Sequence, residues 1–292
     1  MSDLSAQRRA FAERLGTEAG VESPRVRAAF ATVPREAFLS RGPWLVLPDD
    51  KGYRSTPNAD PAHLYQDVAV AIDATRMLNN GAPGFLARLF DALALREGER
   101  VAHIGCAVGY YSAILAEIVG PRGRVFAIEL DPELCERARR NLDRWRQVEV
   151  RHADGREQPQ EPVDVVFVHG GVTHAQARWL EAVGVGGRLA MPVTAIRPTS
   201  RIRRVIRDHA GRILRLERRP EGFAATVGEI CGMQALLGGR DAAFQETLRR
   251  AYQGGDFEAV RSLRTDAHPA EASCWAHRDG ACLSRRAPGE AA

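Results

Sequence analysis

The sequence predicts an α/β protein with a doubly wound, mostly parallel sheet. Two observations carry this. Short apolar runs near 101–104, 124–129, 148–152, 163–168 and 187–192 alternate with helix-patterned segments near 110–119, 133–143 and 174–182. Such alternation places helices on both faces of a parallel sheet and ligands outside the carboxyl ends of its strands. The first run also breaks abruptly into Gly105-Cys106-Ala107-Val108-Gly109 before an amphipathic segment begins at Tyr110. A strand, a tight turn and a helix follow one another there, with glycines where the backbone must turn and approach a ligand closely.

Taken in order, the chain opens with helices over 5–16 and 24–32, then an irregular stretch over 40–62 that carries proline and glycine. A helix with apolar spacing over 83–93 precedes the first core strand. Past the fifth strand, Ile202-Arg-Arg-Val-Ile206 and Arg212-Ile-Leu-Arg-Leu216 alternate around His209-Ala-Gly211, which reads as a β-hairpin with one wet face. A helix over 241–251, a strand over 259–264 and a tail bearing Cys, Trp and His end the sequence. The expected division is an N-terminal helical and acceptor-loop region (1–82), a core (83–230) and a C-terminal extension (231–292).

Composition sets bounds. At 292 residues the chain can bury a substantial core, and 45% hydrophobic with 27% charged residues is ordinary for a soluble globular protein. No apolar run is long enough for a membrane span, and the first residues lack an apolar signal core. With no export signal, five cysteines read as reduced thiols in a cytoplasm. The net charge of +4 is carried almost wholly by arginine, Lys51 being the only lysine. The arginine-rich hairpin lacks interleaved aromatics, so a solvated face is a simpler reading than a nucleic-acid groove.

The second core strand ends in Glu129, about 24 residues after Gly105, near the roughly 20 that separate a nucleotide-binding glycine turn from the acid holding ribose hydroxyls. An adenosine-containing cofactor is therefore expected. A dinucleotide turn wants a third glycine so that helix and strand pack under the pyrophosphate. Tyr110 occupies that position, which favours S-adenosylmethionine. The plain alternative is that Glu129 is a solvated strand end.

Val101 to Glu129, continued through Asp131-Pro-Glu-Leu and Ala138-Arg-Arg-Asn-Leu142, resembles the core of the protein L-isoaspartyl O-methyltransferases. So do Arg27 to Phe38 with its Val33-Pro-Arg-Glu-Ala-Phe38 signature, His152-Ala-Asp154-Gly155, Val163 to Val168, and Gly186 to Pro192. The likeness covers about 24–230. It implies a seven-stranded, Rossmann-like methyltransferase sheet and methyl transfer to an aspartyl or isoaspartyl carboxylate of a protein or modified peptide. A small-molecule acceptor methylated on a hydroxyl or amine is the alternative, and the oligomeric state is left open.

The resemblance assigns the donor to His103, Gly105, Cys106, Ala107, Gly109, Tyr110, Glu129, Leu130, Asp154 and Gly155. In it Asp154 contacts the adenine amino group, although Asp154-Gly155 is also a good turn dipeptide. Two departures stand out. His103 replaces an acid, and Asn79-Asn-Gly-Ala-Pro-Gly84 replaces Thr-Ile-Ser-Ala-Pro-His, so Gly81 and Gly84 stand for the family's serine and histidine. Candidates to replace the lost groups are Asn80 as a catalytic amide and Tyr65, Asp73, Arg76, Asn79 and Gly81 around the acceptor. The bland alternative makes 79–81 a turn and Asp73 a cap. His169 or His174, after the fourth strand, could serve as general base for a hydroxyl or amine. In the tail, Cys274-x-x-His277-x4-Cys282 offers three ligand types, with Cys231 distant and no second Cys-x-x-Cys; it reads as core packing, and no metal is expected.

Overall fold

The computed structural model describes residues 3–48, 52–195 and 210–290. The chain divides into two compact units, Met1–Arg100 with Cys106–His152, and Val101–Gly105 with Ala153–Ala292. Among the described residues, no helix is long and apolar enough to cross a membrane.

The first unit begins with helices α1 (Leu4–Thr17) and α2 (Pro24–Thr32). Asp3 and Ser23 cap them by accepting from Ser5 N and Val26 N, and Pro24 supplies a preset first turn. The stretch expected to be irregular contains β1 (Leu45–Leu47) and β2 (Arg54–Ser55), which join β3 (Ala69–Asp73) and β4 (Leu78–Asn79) in an antiparallel sheet ordered β2-β1-β3-β4. Trp44, Leu64 and Val70 form its small core. Helix α3 (Pro83–Ala92) follows; strand β5 (Arg100–Ile104) starts here and continues in the second unit. Helix α4 (Tyr110–Val119) is buried over most of its circumference, as its apolar composition requires. Strand β6 (Arg124–Glu129), helix α5 (Pro132–Leu142) and strand β7 (Val148–His152) complete a parallel β–α–β passage, with Glu129 opposite His152.

In the second unit β5 pairs in parallel with β8 (Val163–Val168), and β8 in parallel with β9 (Val183–Thr194). Val165 to Val168 are fully buried, the near-continuous apolar run of a strand covered on both faces. Helix α6 (Ala177–Ala182) leads directly into β9. Strands β10 (Ala210–Arg219) and β11 (Gly222–Gly232) add antiparallel pairs to β9. Helix α7 (Ala242–Gly254) and short strands β12 (Ser262–Arg264), β13 (Cys274–Ala276) and β14 (Cys282–Ser284) follow, in the order β11-β12-β14-β13.

The expected arginine-rich hairpin needs correction. Its first arm, 202–206, lies outside the described residues. Its supposed turn residue Gly211 sits inside β10, opposite Thr194 and Cys231. A Cβ at Gly211 would lie 1.9 Å from Val193 O, so the glycine serves close strand approach and not a turn. The hairpin that forms joins β10 to β11 through Pro220-Glu221.

Candidate functional site

In the first unit, the turn after β5 is organised by the acid at the end of β6. Glu129 accepts from three backbone N–H groups: Ala107 at 2.7 Å through Oε2, and Leu130 and Asp131 at 2.9 and 3.0 Å through Oε1. Cys106 N donates to Ile128 O and Gly109 N to Cys106 O, closing the turn. Ala107 and Gly109 have positive φ, 49° and 90°, and the Glu129 bond holds the alanine in that conformation. A Cβ at Gly109 would meet Leu142 Cδ1 at 2.6 Å, so the packing of α5 also demands glycine. A carboxylate has about four acceptor positions, and three bonds leave Glu129 room for a further donor. Leu130 beside it is 39% exposed, a free apolar surface next to that acid.

Two of the expected donor contacts in this unit turn out to be interior. The Tyr110 ring is buried edge-on against Phe38 and Phe30, and burial pushes its hydroxyl above the usual range. The thiol of Cys106 is buried and likewise raised, chiefly by burial. The third-glycine position tolerates tyrosine because that side chain packs among aromatic side chains of the N-terminal segment.

The loop at 79–84, expected at the acceptor, belongs to the same unit, and its polar groups are engaged with the fold. Arg35 of the Val-Pro-Arg-Glu signature is fully buried. Its guanidinium donates to the carbonyls of Leu64, Gln66, Val68 and Gly81 and to Asn80 Oδ1. Asn80 Oδ1 also accepts from Val70 N at 2.9 Å, while the buried Asn80 Nδ2 has no partner among the described residues. The expected catalytic amide thus holds Arg35. Asn79 Oδ1 closes a turn on Gly81 N, and its Nδ2 donates to Tyr53 Oη. Gly81 has φ +71°, and its carbonyl also accepts from Tyr111 Oη.

Three acceptor-side expectations are corrected in the same way. Tyr65 donates its buried hydroxyl to Glu36 and accepts from Arg8 Nε. Asp73 caps a turn by accepting from Thr75 N, Thr75 Oγ1 and Arg76 N, and the Thr75 hydroxyl leads in holding its carboxyl below the usual range. Arg76 pairs with Asp131 at 2.7 Å, the residue that caps α5. Asp67, which the sequence did not single out, accepts from Gly84 N at 2.6 Å. A Cβ at Gly84 would lie 2.3 Å from Asp67 Oδ2, so the missing histidine and this carboxylate are physically linked.

The second unit holds the remaining candidates. His103 stacks on Phe167, and its Nε2 lies 3.4 Å from His169 Nδ1. Burial, with His169 beside it, holds His103 well below the ordinary imidazole range; burial lowers His169 to about 4. His174 contacts Thr173 Oγ1 at 2.9 Å and is also lowered to about 4, mainly by burial. All three are neutral at physiological pH and weak as bases, which disfavours the general-base role expected of His169. Asp154, expected on adenine, is taken up by Arg156 through Nε, Nη2 and the backbone N. The turn reading of Asp154-Gly155 is the one the structure has. Gly155 is required because a Cβ would meet Ile104 Cγ2 at 2.4 Å. Gly105, with φ +79°, has Leu236 Cδ1 at 3.3 Å from its Cβ position. Leu236 reaches it because Gly171 N donates to Gln234 O and Leu236 N to Gly171 O. This long-range pairing brings Leu236 to Gly105, and the sequence carries no signal of it.

Comparison with known proteins follows this geometry. A family model described as Protein-L-isoaspartate(D-aspartate) O-methyltransferase matches residues 6–219. Protein-L-isoaspartate O-methyltransferase 1 of Archaeoglobus fulgidus is 34% identical over 195 residues, 65% of this chain and 81% of that protein. The corresponding protein of Syntrophotalea carbinolica is 31% identical over 209 residues, 70% of this chain and 86% of its own. Among solved structures, a protein-L-isoaspartate O-methyltransferase superposes with TM-score 0.63 at 22% identity, covering 89% of this chain and 72% of that one. A candidate enzyme of the same description from Plasmodium falciparum, in complex with S-adenosyl-L-homocysteine, gives TM-score 0.58 at 15% identity, covering 78% and 97%. These two structural likenesses bear on the fold, which is α/β and Rossmann-like.

Proposed function

Because this chain belongs to the protein-L-isoaspartate(D-aspartate) O-methyltransferase family, we propose that it transfers a methyl group from S-adenosylmethionine to a carboxylate of a peptide or protein. The observation that carries the reading is Glu129, which fixes the turn at Ala107 and keeps acceptor capacity beside the exposed Leu130. A ribose hydroxyl can donate to that carboxylate, and charge assistance strengthens such a bond. The cofactor supplies an activated methyl on a sulfonium. The backbone at Ala107 and Gly109 would hold its amino-acid part, and the exposed Leu130 would offer an apolar surface to its base. Strands β5 to β11, seven in number, form the core of the class in this reading.

An aspartyl-type carboxylate is already ionised, so methylation needs position and no base. That agrees with neutral, partly buried His169 and His174, which offer little to a hydroxyl or amine. Positioning alone can supply up to about 7–11 kcal/mol of the barrier. With glycine at 81 and 84, the acceptor loop presents backbone where related enzymes present serine and histidine, so we read a narrower acceptor range than isoaspartyl peptides at large. Five unpaired cysteines suit a reducing, cytoplasmic setting. The test is incubation of the full chain and labelled donor with isoaspartyl peptides, aspartyl peptides and small metabolites. A base-labile methyl ester is expected on a peptide carboxylate. Transfer only to base-stable ether or amine products would overturn the reading.

A further inference from the structure

The C-terminal extension, beyond the residues matched by the family model, gathers His268, Cys274, His277 and Cys282. One ligand atom from each lies within 4.8 Å of every other. Cys274 Sγ is 3.6 Å from His268 Nε2 and 3.8 Å from His277 Nδ1. Tetrahedral zinc, with bonds of about 2.3 Å to sulfur and 2.0–2.1 Å to nitrogen, sets sulfur–nitrogen separations of roughly 3.6 Å. Two edges of the cluster already have that length. The sequence offers three of these residues at close spacing; His268 is the fourth, brought in by the loop between β12 and β13.

Both histidines are oriented as ligands. The Nδ1 of His268 faces the Asp266 carbonyl at 3.0 Å and the Asp266 carboxylate at 3.4 Å, which turns Nε2 toward Cys274. The Nε2 of His277 faces Asp279 Oδ1 at 3.6 Å, which turns Nδ1 inward. An outward carboxylate or carbonyl on the second ring nitrogen is what fixes metal-bound imidazoles. Cys274 opens β13 opposite Ser284, and Cys282 opens the antiparallel strand β14; each strand is only three residues long, so the two thiols stay within reach of each other. Cys282 is fully buried.

We propose that these four side chains bind a structural zinc ion as a Cys2His2 site. Four protein ligands leave no open position, so the ion cross-links the extension and takes no part in methyl transfer. The earlier expectation of no metal rested on counting three ligands. Strands of three residues make few ladder bonds, and a metal cross-link would add to the small core that Phe257, Leu263, Trp275 and Leu283 supply.

The full chain, purified without chelator from zinc-replete cells, is expected to carry about one zinc per molecule by elemental mass spectrometry. His268→Ala, a change in a loop, should lose most of that zinc, His268→Cys should keep it, and Cys231→Ser should be indifferent. Cobalt exchanged into the unaltered protein should show the intense visible absorption of tetrahedral coordination together with thiolate charge-transfer bands, a readout that needs no variant to fold. Chelation should lower the melting temperature. Zinc-free protein from replete cells, an octahedral cobalt spectrum, a Cys274–Cys282 disulfide, or zinc content unmoved by His268→Ala would each overturn the proposal.

Discussion

The turn at 106–109 and the loop at 79–84 belong to the same unit and are made of similar small residues, yet they use polar groups in opposite ways. At the turn, one side chain from a neighbouring strand, Glu129, binds backbone N–H groups and retains acceptor capacity. At the loop, Asn79 and Asn80 bind the protein itself, and the Gly81 carbonyl is taken by Arg35 and Tyr111. The difference teaches that a polar side chain beside a cleft-forming loop is a ligand candidate only after its structural partners are counted.

The largest effect expected from breaking this contrast is at Arg35. Arg35→Ala removes a charged donor from four carbonyls and Asn80 Oδ1, of which the Gln66 and Gly81 carbonyls and Asn80 Oδ1 keep another donor, and should lower unfolding free energy by about 3 kcal/mol or more in urea titration. Arg35→Lys should not rescue, because an ammonium cannot reproduce the fork. A stable Arg35→Ala protein would show that the loop does not depend on this clamp.

A second test asks whether the histidines, like the loop, serve the fold. His169 is lowered to about 4 from an ordinary 6.5, so the unfolded chain binds its proton first. Stability is then fully present above about pH 6.5 and is lost as pH falls toward 4, by a few kcal/mol. Replacing His169 with Gln should flatten that slope in pH-dependent thermal melts. An unchanged slope would mean that the ring titrates alike in the folded and unfolded chain and is available as a base.

At the turn itself, Glu129→Ala should weaken S-adenosylhomocysteine binding at least about tenfold by calorimetry while the fold persists. Glu129→Gln should fall between, since its amide end donates where the turn needs an acceptor. Equal affinity in Glu129→Ala would reduce the acid to a strand end.

The smallest effect is expected at Arg76, whose side chain is 47% exposed in its pair with Asp131. Arg76→Ala should change stability by less than about 1 kcal/mol and leave the acceptor KM unmoved. A raised KM would restore it as a substrate clamp and blur the contrast.

Much of the architecture was legible because it depends on local pattern. Strands β6, β7 and β8 and helices α2 and α4 fall where apolar period and turn residues place them. Glu129 was legible for the same reason, as an acid ending an apolar run. The acceptor loop was not, because its partners lie far along the chain: Arg35 and Asn80 are separated by 45 positions. Gly211 misled because glycine marks both turns and close strand contact, and only pairing tells which. His268 escaped for a related reason, since a ligand in a loop keeps no fixed spacing from its partners.

The seat of Gly84 against Asp67 also constrains the order in which this loop can change. Any side chain gained at position 84 displaces the Asp67 carboxylate from the Gly84 N–H, where it does the work of a cap that Ala82 does not supply to α3. A lineage moving toward histidine at 84 must therefore alter Asp67 first or pass through a weakened intermediate. Introducing a side chain at 84 is therefore contingent on position 67, and a double exchange at the two positions avoids the clash.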